Sequence, residues 1–455
     1  MASIRAPAVA GMFYPGEPKA LDAELDDLLG GVDQPAPRLG FPKALIVPHA
    51  GYIYSGQVAA RAYDEVAPAR GMVRRVVMLG PSHRVPVRGL AVPGAQAFAT
   101  PLGAVPLERE ALRAVQDLPQ VVTSDAAHAL EHSLEVQLPF LQKVLGQFSL
   151  VPFAVGTASV HEVSEVIERL WGGAETLIVI STDLSHYHPY EQAKKIDGAT
   201  LERVAAFATD IHHDQACGAT PLNGLLSAAS KKGLSIKLLA ACNSGDTAGG
   251  RREVVGYSAF ALHEGQGVSH AHAGETLVSI ARGSIEAEIF KRAASERTES
   301  WLAQAGASFV TLRRAGSLRG CIGSLEAVRP LGADVADNAR GAAFRDPRFP
   351  PLTGEEWPQC RVEVSLLSTP KPLRFADEED LLAQLRAGED GVVLEADGKR
   401  GTFLPQVWES LPDPEHFIAE LKCKAGIAPE TRTTACSIKR YRVLKWRESE
   451  LKGQA

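Results

Sequence analysis

Over residues 1–264, short apolar runs alternate with longer amphipathic stretches, and this alternation narrows the fold more than any other feature. The runs 43–48, 74–80, 149–155, 176–181, 236–241 and 254–262 read as buried strands. Between them, 17–30, 56–68, 106–117, 129–145, 158–172, 190–207 and 219–231 carry apolar residues at helical spacing. Strand and helix in alternation predict a layered α/β domain, with helices on both faces of a largely parallel sheet.

Residues 265–274 are small, polar and without apolar period, and read as a linker. The histidines at 270 and 272 read as solvated linker residues. The pattern then changes. A helix is expected over Thr276 to Leu302, and two strands within 308–323 around a turn at Ala315-Gly316. Further strands are expected at 361–367 and 441–446, a hairpin over 391–403 turning at Asp397-Gly398, and helices near 328–341, 377–387 and 413–425. Residues 275–455 therefore read as a smaller, separate α+β domain.

The chain is 45% hydrophobic and 22% charged, enough apolar residue to bury a core. No apolar run approaches the ~20 residues a membrane span needs, and the first residues hold no apolar segment of signal-peptide length. A net charge of -6 gives no general attraction to nucleic acid or anionic lipid. Six cysteines without a CxxC pair suit a reducing compartment, so a cytoplasmic location is expected. No Walker loop, dinucleotide fingerprint or RNA-binding aromatic motif is present.

Four strand-like runs end in metal-competent residues: Ala44 to Val47 before His49, Val76 to Gly80 before His83, Leu177 to Ile180 before Asp183 and His186, and Leu238 to Ala241 before Cys242. Ligands of open α/β sheets bind beyond the carboxyl ends of strands, so these residues are expected to share one crevice. Imidazoles with a thiolate suit iron, zinc or copper rather than calcium or magnesium. Asp183 and His186 are spaced to act as an orienting carboxylate and a general acid/base. A second cluster, His128, Glu131, His132 and Glu135, is expected on one helical face as pocket wall. Cys217 reads as packing. In the second domain, Cys321 after Arg319 is a candidate nucleophile or redox thiol, and Arg313, Arg314 and Arg319 are placed to attract an anionic ligand.

Arg5 to Pro15, Pro48 to Tyr52, Gly80 to His83, Glu131 to Glu135, Ser181 to His186 and Cys242 to Asp246 together resemble the Memo family over about residues 3–264. That family is similar in fold to class III extradiol dioxygenases. The resemblance implies a metal held by His49, His83 and Cys242, with Asp183 and His186 lining the same pocket. His186 and Asp183 are the expected catalytic pair, and Tyr52, Glu131 and His132 are expected on the substrate side. Leu318 to Gly323, Phe344 to Phe349 and Gly401 to Val407 resemble the AMMECR family over about 273–448, with Cys321 and Arg319 as its site candidates. The fusion resembles components A and B of the AmmeMemoRadiSam system, whose third member is a radical S-adenosylmethionine protein. The expectation is an iron-dependent, dioxygenase-like oxidoreductase acting on a small molecule. The alternatives are a non-catalytic metal-binding adaptor for the radical partner, and a zinc hydrolase using the same ligands.

Overall fold

The computed structural model describes residues 3–32, 37–265, 268–293, 297–428 and 430–448. They form two compact units, Met1–Val32 with Phe41–Gly267 and Asp33–Gly40 with Val268–Ala455. The segment expected to link the domains is partly helical. Ser269 accepts the His272 N–H and caps a helix over His270–Ile289, so residues 270–274 are not linker.

The first unit is built on a nine-stranded mixed sheet. Its centre is four parallel strands in the order Ala44–Val47, Thr176–Ser181, Arg75–Pro81, Ser149–Val155. Their residues are apolar on both faces and almost wholly buried, as a sheet covered on two sides requires. The flanks are not parallel. Val254–His263 runs antiparallel to Ala44–Val47 and carries Ser235–Asn243 and His186–His188. At the other side Leu90–Val92 runs antiparallel to Ser149–Val155 and pairs with Val121–Thr123.

The expected helix over 129–145 is broken. A short helix, Asp125–Ala129, is followed by a turn, a single 3-10 turn at Glu135–Gln137 and the helix Leu138–Leu145. Pro139 lies in the first turn of that last helix, where its missing N–H costs nothing. The turn is fixed by a buried carboxylate. Glu135 has no solvent exposure and accepts from Arg5 Nη1 at 2.5 Å, the N–H groups of Ala8 and Val9 at 2.7 and 3.0 Å, and the Tyr14 hydroxyl at 2.6 Å. Arg5 also donates to the carbonyls of His128 and Glu131 at 2.7 and 2.6 Å. The N-terminal segment is thereby strapped across the turn.

The second unit has two antiparallel sheets. One orders Ser317–Gly323, Ala305–Arg314, Cys360–Leu367 and Val443–Arg447, with Arg329–Pro330 beside Ala305–Arg314. The other orders Lys371–Pro372, Ser437–Tyr441, Gly391–Ala396 and Lys399–Phe403. Both expected hairpin turns have left-handed backbone, with φ of 47° and 84° at Ala315 and Gly316 and 50° and 73° at Asp397 and Gly398. The helix expected to reach Leu302 ends at Ile289, and Trp301 sits in a separate short turn. No helix among the described residues is long and apolar enough to cross a membrane.

Replacing Arg5 by Met leaves Glu135 buried without its cation. We expect a loss of about 3–5 kcal/mol, read as a lower urea midpoint for the first unit.

Candidate metal centre

The register of the parallel strands aligns their ends. Val47 pairs with Ser181 and Leu79 with Ile180. His49, His83 and Asp183 each follow two residues after a strand terminus, so all three emerge at one edge. Gly80 is extended rather than turned. It is glycine because a Cβ there would stand 2.9 Å from the Ser133 hydroxyl and 3.0 Å from Leu134. This close approach seats the turn carrying Glu131 and His132 against the end of the strand.

His49, His83 and His132 each offer a ring nitrogen, and the three lie within 4.8 Å of one another, as one shared ion requires. The rings of His83 and His132 stack at 4.9 Å, and His49 stands edge-on to both at 5.2 and 5.4 Å. Hydrogen bonds fix which nitrogens are free. The Ser181 hydroxyl donates to the Ser133 carbonyl at 2.6 Å and accepts from Gln137 at 2.9 Å. Its single proton spent, it accepts from His49 Nδ1 at 2.9 Å, leaving the Nε2 lone pair unprotonated. His83 Nδ1 likewise faces Glu131 Oε1 at 2.9 Å. Burial works to raise the Glu131 carboxyl, but the His83 side chain and the N–H groups of Ser133 and His83 hold it at about 2. An ionised carboxylate only accepts, so His83 donates to it from Nδ1, and Nε2 is the nitrogen left for a ligand role. His132 Nδ1, 3.4 Å from Glu131 Oε1, is buried without a hydrogen-bond partner.

Burial, and then the neighbouring imidazoles, push His49 well below its ordinary value; burial brings His132 to about 4. Burial works against protonation of His49 and His132, and His49 and His83 are braced through the nitrogen that faces away from the cluster, so the three rings form a donor set that could hold a metal ion.

The other expected site residues fall differently. Asp183 serves His49 rather than His186: its Oδ1 accepts the His49 N–H at 2.7 Å and its Oδ2 stands 4.0 Å from His49 Nε2. Burial raises its carboxyl to about 7. His186 is oriented by the Leu184 carbonyl, 2.8 Å from Nδ1, and is half-buried. Cys242 does not join the cluster. Its strand reaches the correct edge, but Val254–His263 stands between it and Ala44–Val47, and two strand spacings amount to roughly 10 Å. The sulfur beside His49 is instead Cys217, with Sγ 3.4 Å from Nε2, its thiol raised to about 12 by burial and then by Asp183.

Tyr52 does not face a substrate space. It is buried, with its hydroxyl on the Val136 carbonyl at 2.9 Å. Glu131 is likewise committed to the histidines, and His132 moves from pocket wall to candidate ligand. In the second unit Arg319 is buried and paired with Glu356, with Nη2 on Oε2 at 3.1 Å, so it is not the cation beside Cys321. The sequence carried one signal for His132, its place directly after Glu131, but the expected helix concealed it.

The family model of Memo-like proteins matches residues 5–261, and that of AMMECR1 matches 278–446. MEMO1 family proteins of Methanopyrus kandleri and Aquifex aeolicus are both 37% identical. They cover 57% and 56% of this chain and 99% and 97% of their own. The crystal structure of an uncharacterized protein from Pyrococcus horikoshii is 32% identical, covering 38% of this chain and 91% of its own at a TM-score of 0.36.

His128, beside this turn, is held neutral by burial at about 4, with Nε2 on the Ala91 carbonyl at 2.8 Å. The unfolded chain therefore binds a proton that the folded chain refuses between the ordinary value of 6.5 and about 4. Stability is complete above that window and is lost as pH falls through it. His128→Asn should remove about 2 kcal/mol of the loss between pH 7 and pH 5, read by urea unfolding at the two pH values.

Proposed function

Because the chain belongs to the Memo family over residues 5–261 and carries an AMMECR1 domain over 278–446, we propose that its first unit is a metal-dependent enzyme of the non-haem iron, dioxygenase-like type acting on a small molecule. One observation carries this reading: three imidazoles converge while a carboxylate and a hydroxyl brace two of them from behind. His49, His83 and His132 would hold the ion. When bound, the metal supplies Lewis acidity and an open position for water or dioxygen.

The chain's own residues supply the rest. Glu131 and Ser181 fix the proton on Nδ1 of His83 and His49, so that both rings present Nε2. Asp183, raised by burial to about 7, is divided between its protonated and ionised forms at neutral pH and stands beside His49, where it can release or recover a proton during turnover. His186 donates Nδ1–H to Leu184 and keeps Nε2 for proton transfer. An all-imidazole set is equally the set zinc takes in water-activating sites, so metal-assisted hydrolysis is the second reading. Fusion to an AMMECR1 domain supports a shared role with a radical S-adenosylmethionine partner, as the resemblance to the AmmeMemoRadiSam components implies.

Metal content after anaerobic purification tests the ligand set and the ion together. About one iron per chain is expected, lost in His49→Ala and His132→Ala and kept in Cys242→Ser. Glu131→Gln should weaken metal affinity by about 10–100-fold. Zinc in place of iron would favour hydrolysis, and metal retained by both His variants would defeat the assignment.

A further inference from the structure

Imidazoles that share an ion must each be held at the right tilt, and hydrogen bonds do this for two of the three rings. Ser181 braces His49 and Glu131 braces His83, both through Nδ1. His132 has no such brace. Its Nδ1 is buried without a hydrogen-bond partner. The nearest oxygen, Glu131 Oε1 at 3.4 Å, is already taken by His83 Nδ1 and by the N–H groups of His132 and Ser133. What touches the His132 ring is aromatic. His83 stacks on it at 4.9 Å, His49 stands edge-on at 5.4 Å, and Phe13 packs on it at 5.0 Å with a tilt of 59°. His49 and His83 belong to the cluster. Among the described residues, Phe13 is therefore the ring that supports His132 from outside it.

Phe13 lies on the N-terminal strap, and backbone bonds fix it from both sides. Gly11 turns the chain with φ of 80°, and its N–H donates to the Tyr14 carbonyl at 2.7 Å. The N–H groups of Met12 and Phe13 share the Val9 carbonyl at 3.0 and 2.9 Å. The Phe13 carbonyl accepts the Tyr52 N–H at 2.8 Å, where the helix Tyr52–Glu65 begins three residues after His49. The next side chain, Tyr14, is tied to Glu135. A half-buried ring with both neighbours pinned has little freedom to move. It carries no donor or acceptor, so it can set the tilt of an imidazole and leave both nitrogens untouched.

We propose, resting on the reading of the three imidazoles as metal ligands, that Phe13 is a positioning residue for His132, which makes the N-terminal strap part of the metal centre. A hydroxyl and a carboxylate orient two donors; the strap orients the third by ring packing. Loading of the ion and docking of the strap then favour each other, because both stabilise one setting of His132.

Titration of the full chain with cobalt(II), followed by the visible absorption of the bound ion, tests this with the metal alone. Phe13→Leu, which keeps the strap apolar, should weaken cobalt binding about tenfold, the scale of a lost orienting contact, and shift the absorption bands. Phe13→Tyr, which keeps the ring, should restore affinity and spectrum together. Urea midpoints of the metal-free chains separate positioning from unfolding and should agree between wild type and Phe13→Tyr. Wild-type affinity and bands in Phe13→Leu would overturn the inference alone. So would an affinity that falls only in step with the metal-free urea midpoint and is not restored by Phe13→Tyr. A wild-type chain that takes up no cobalt would overturn the metal reading and this inference with it.

Discussion

A fully buried carboxylate must have its oxygens satisfied, and Glu135 meets that demand by drawing the N-terminus across the molecule. One guanidinium, two backbone amides and a phenol converge on it. Desolvating such a pair is expensive, and its return is specificity more than stability. The same Arg5 that neutralises Glu135 grips the carbonyls of His128 and Glu131. The backbone around Glu131 is thus fixed before its side chain meets any histidine. The three-imidazole cluster depends on that placement, because Glu131 is the group that His83 and His132 share.

Much of this was legible in the residues. His49, His83 and Asp183 follow apolar strands, and the rule that sites form at strand termini brings them to one edge without knowledge of strand order. Cys242 satisfies the same local rule and fails because strand order is not local. Nothing near residue 242 reveals that Val254–His263 intervenes. His132 was hidden for the opposite reason. Glu131 and Glu135 at helical spacing suggest one continuous face, yet each carboxylate turns inward to bind backbone or side-chain donors, and the helix breaks between them. A buried acid that finds partners outside its own helix outweighs helical propensity.

The second unit repeats the lesson on a smaller scale. Arg319 precedes Cys321 by two positions, and simple alternation would place both side chains on one face. The pairing with Ala305–Arg314 shifts register between Leu312 and Arg313, so Arg319 is the residue left over in a bulge, and it goes to Glu356. The guanidinium beside Cys321 is that of Arg348, which donates to its carbonyl at 3.1 Å. In the first unit, by contrast, burial works against protonation of His49 and His132.

The bracing of the rings has a mechanical corollary. Glu131 holds the His83 ring through Nδ1, Ser181 pins His49, and His132 packs against both rings with no hydrogen bond at its own Nδ1. The span of the trio is therefore set by the fold. Cations that need wider bites would have to bend the main chain, so ionic radius becomes a criterion of admission alongside the softness of the donors.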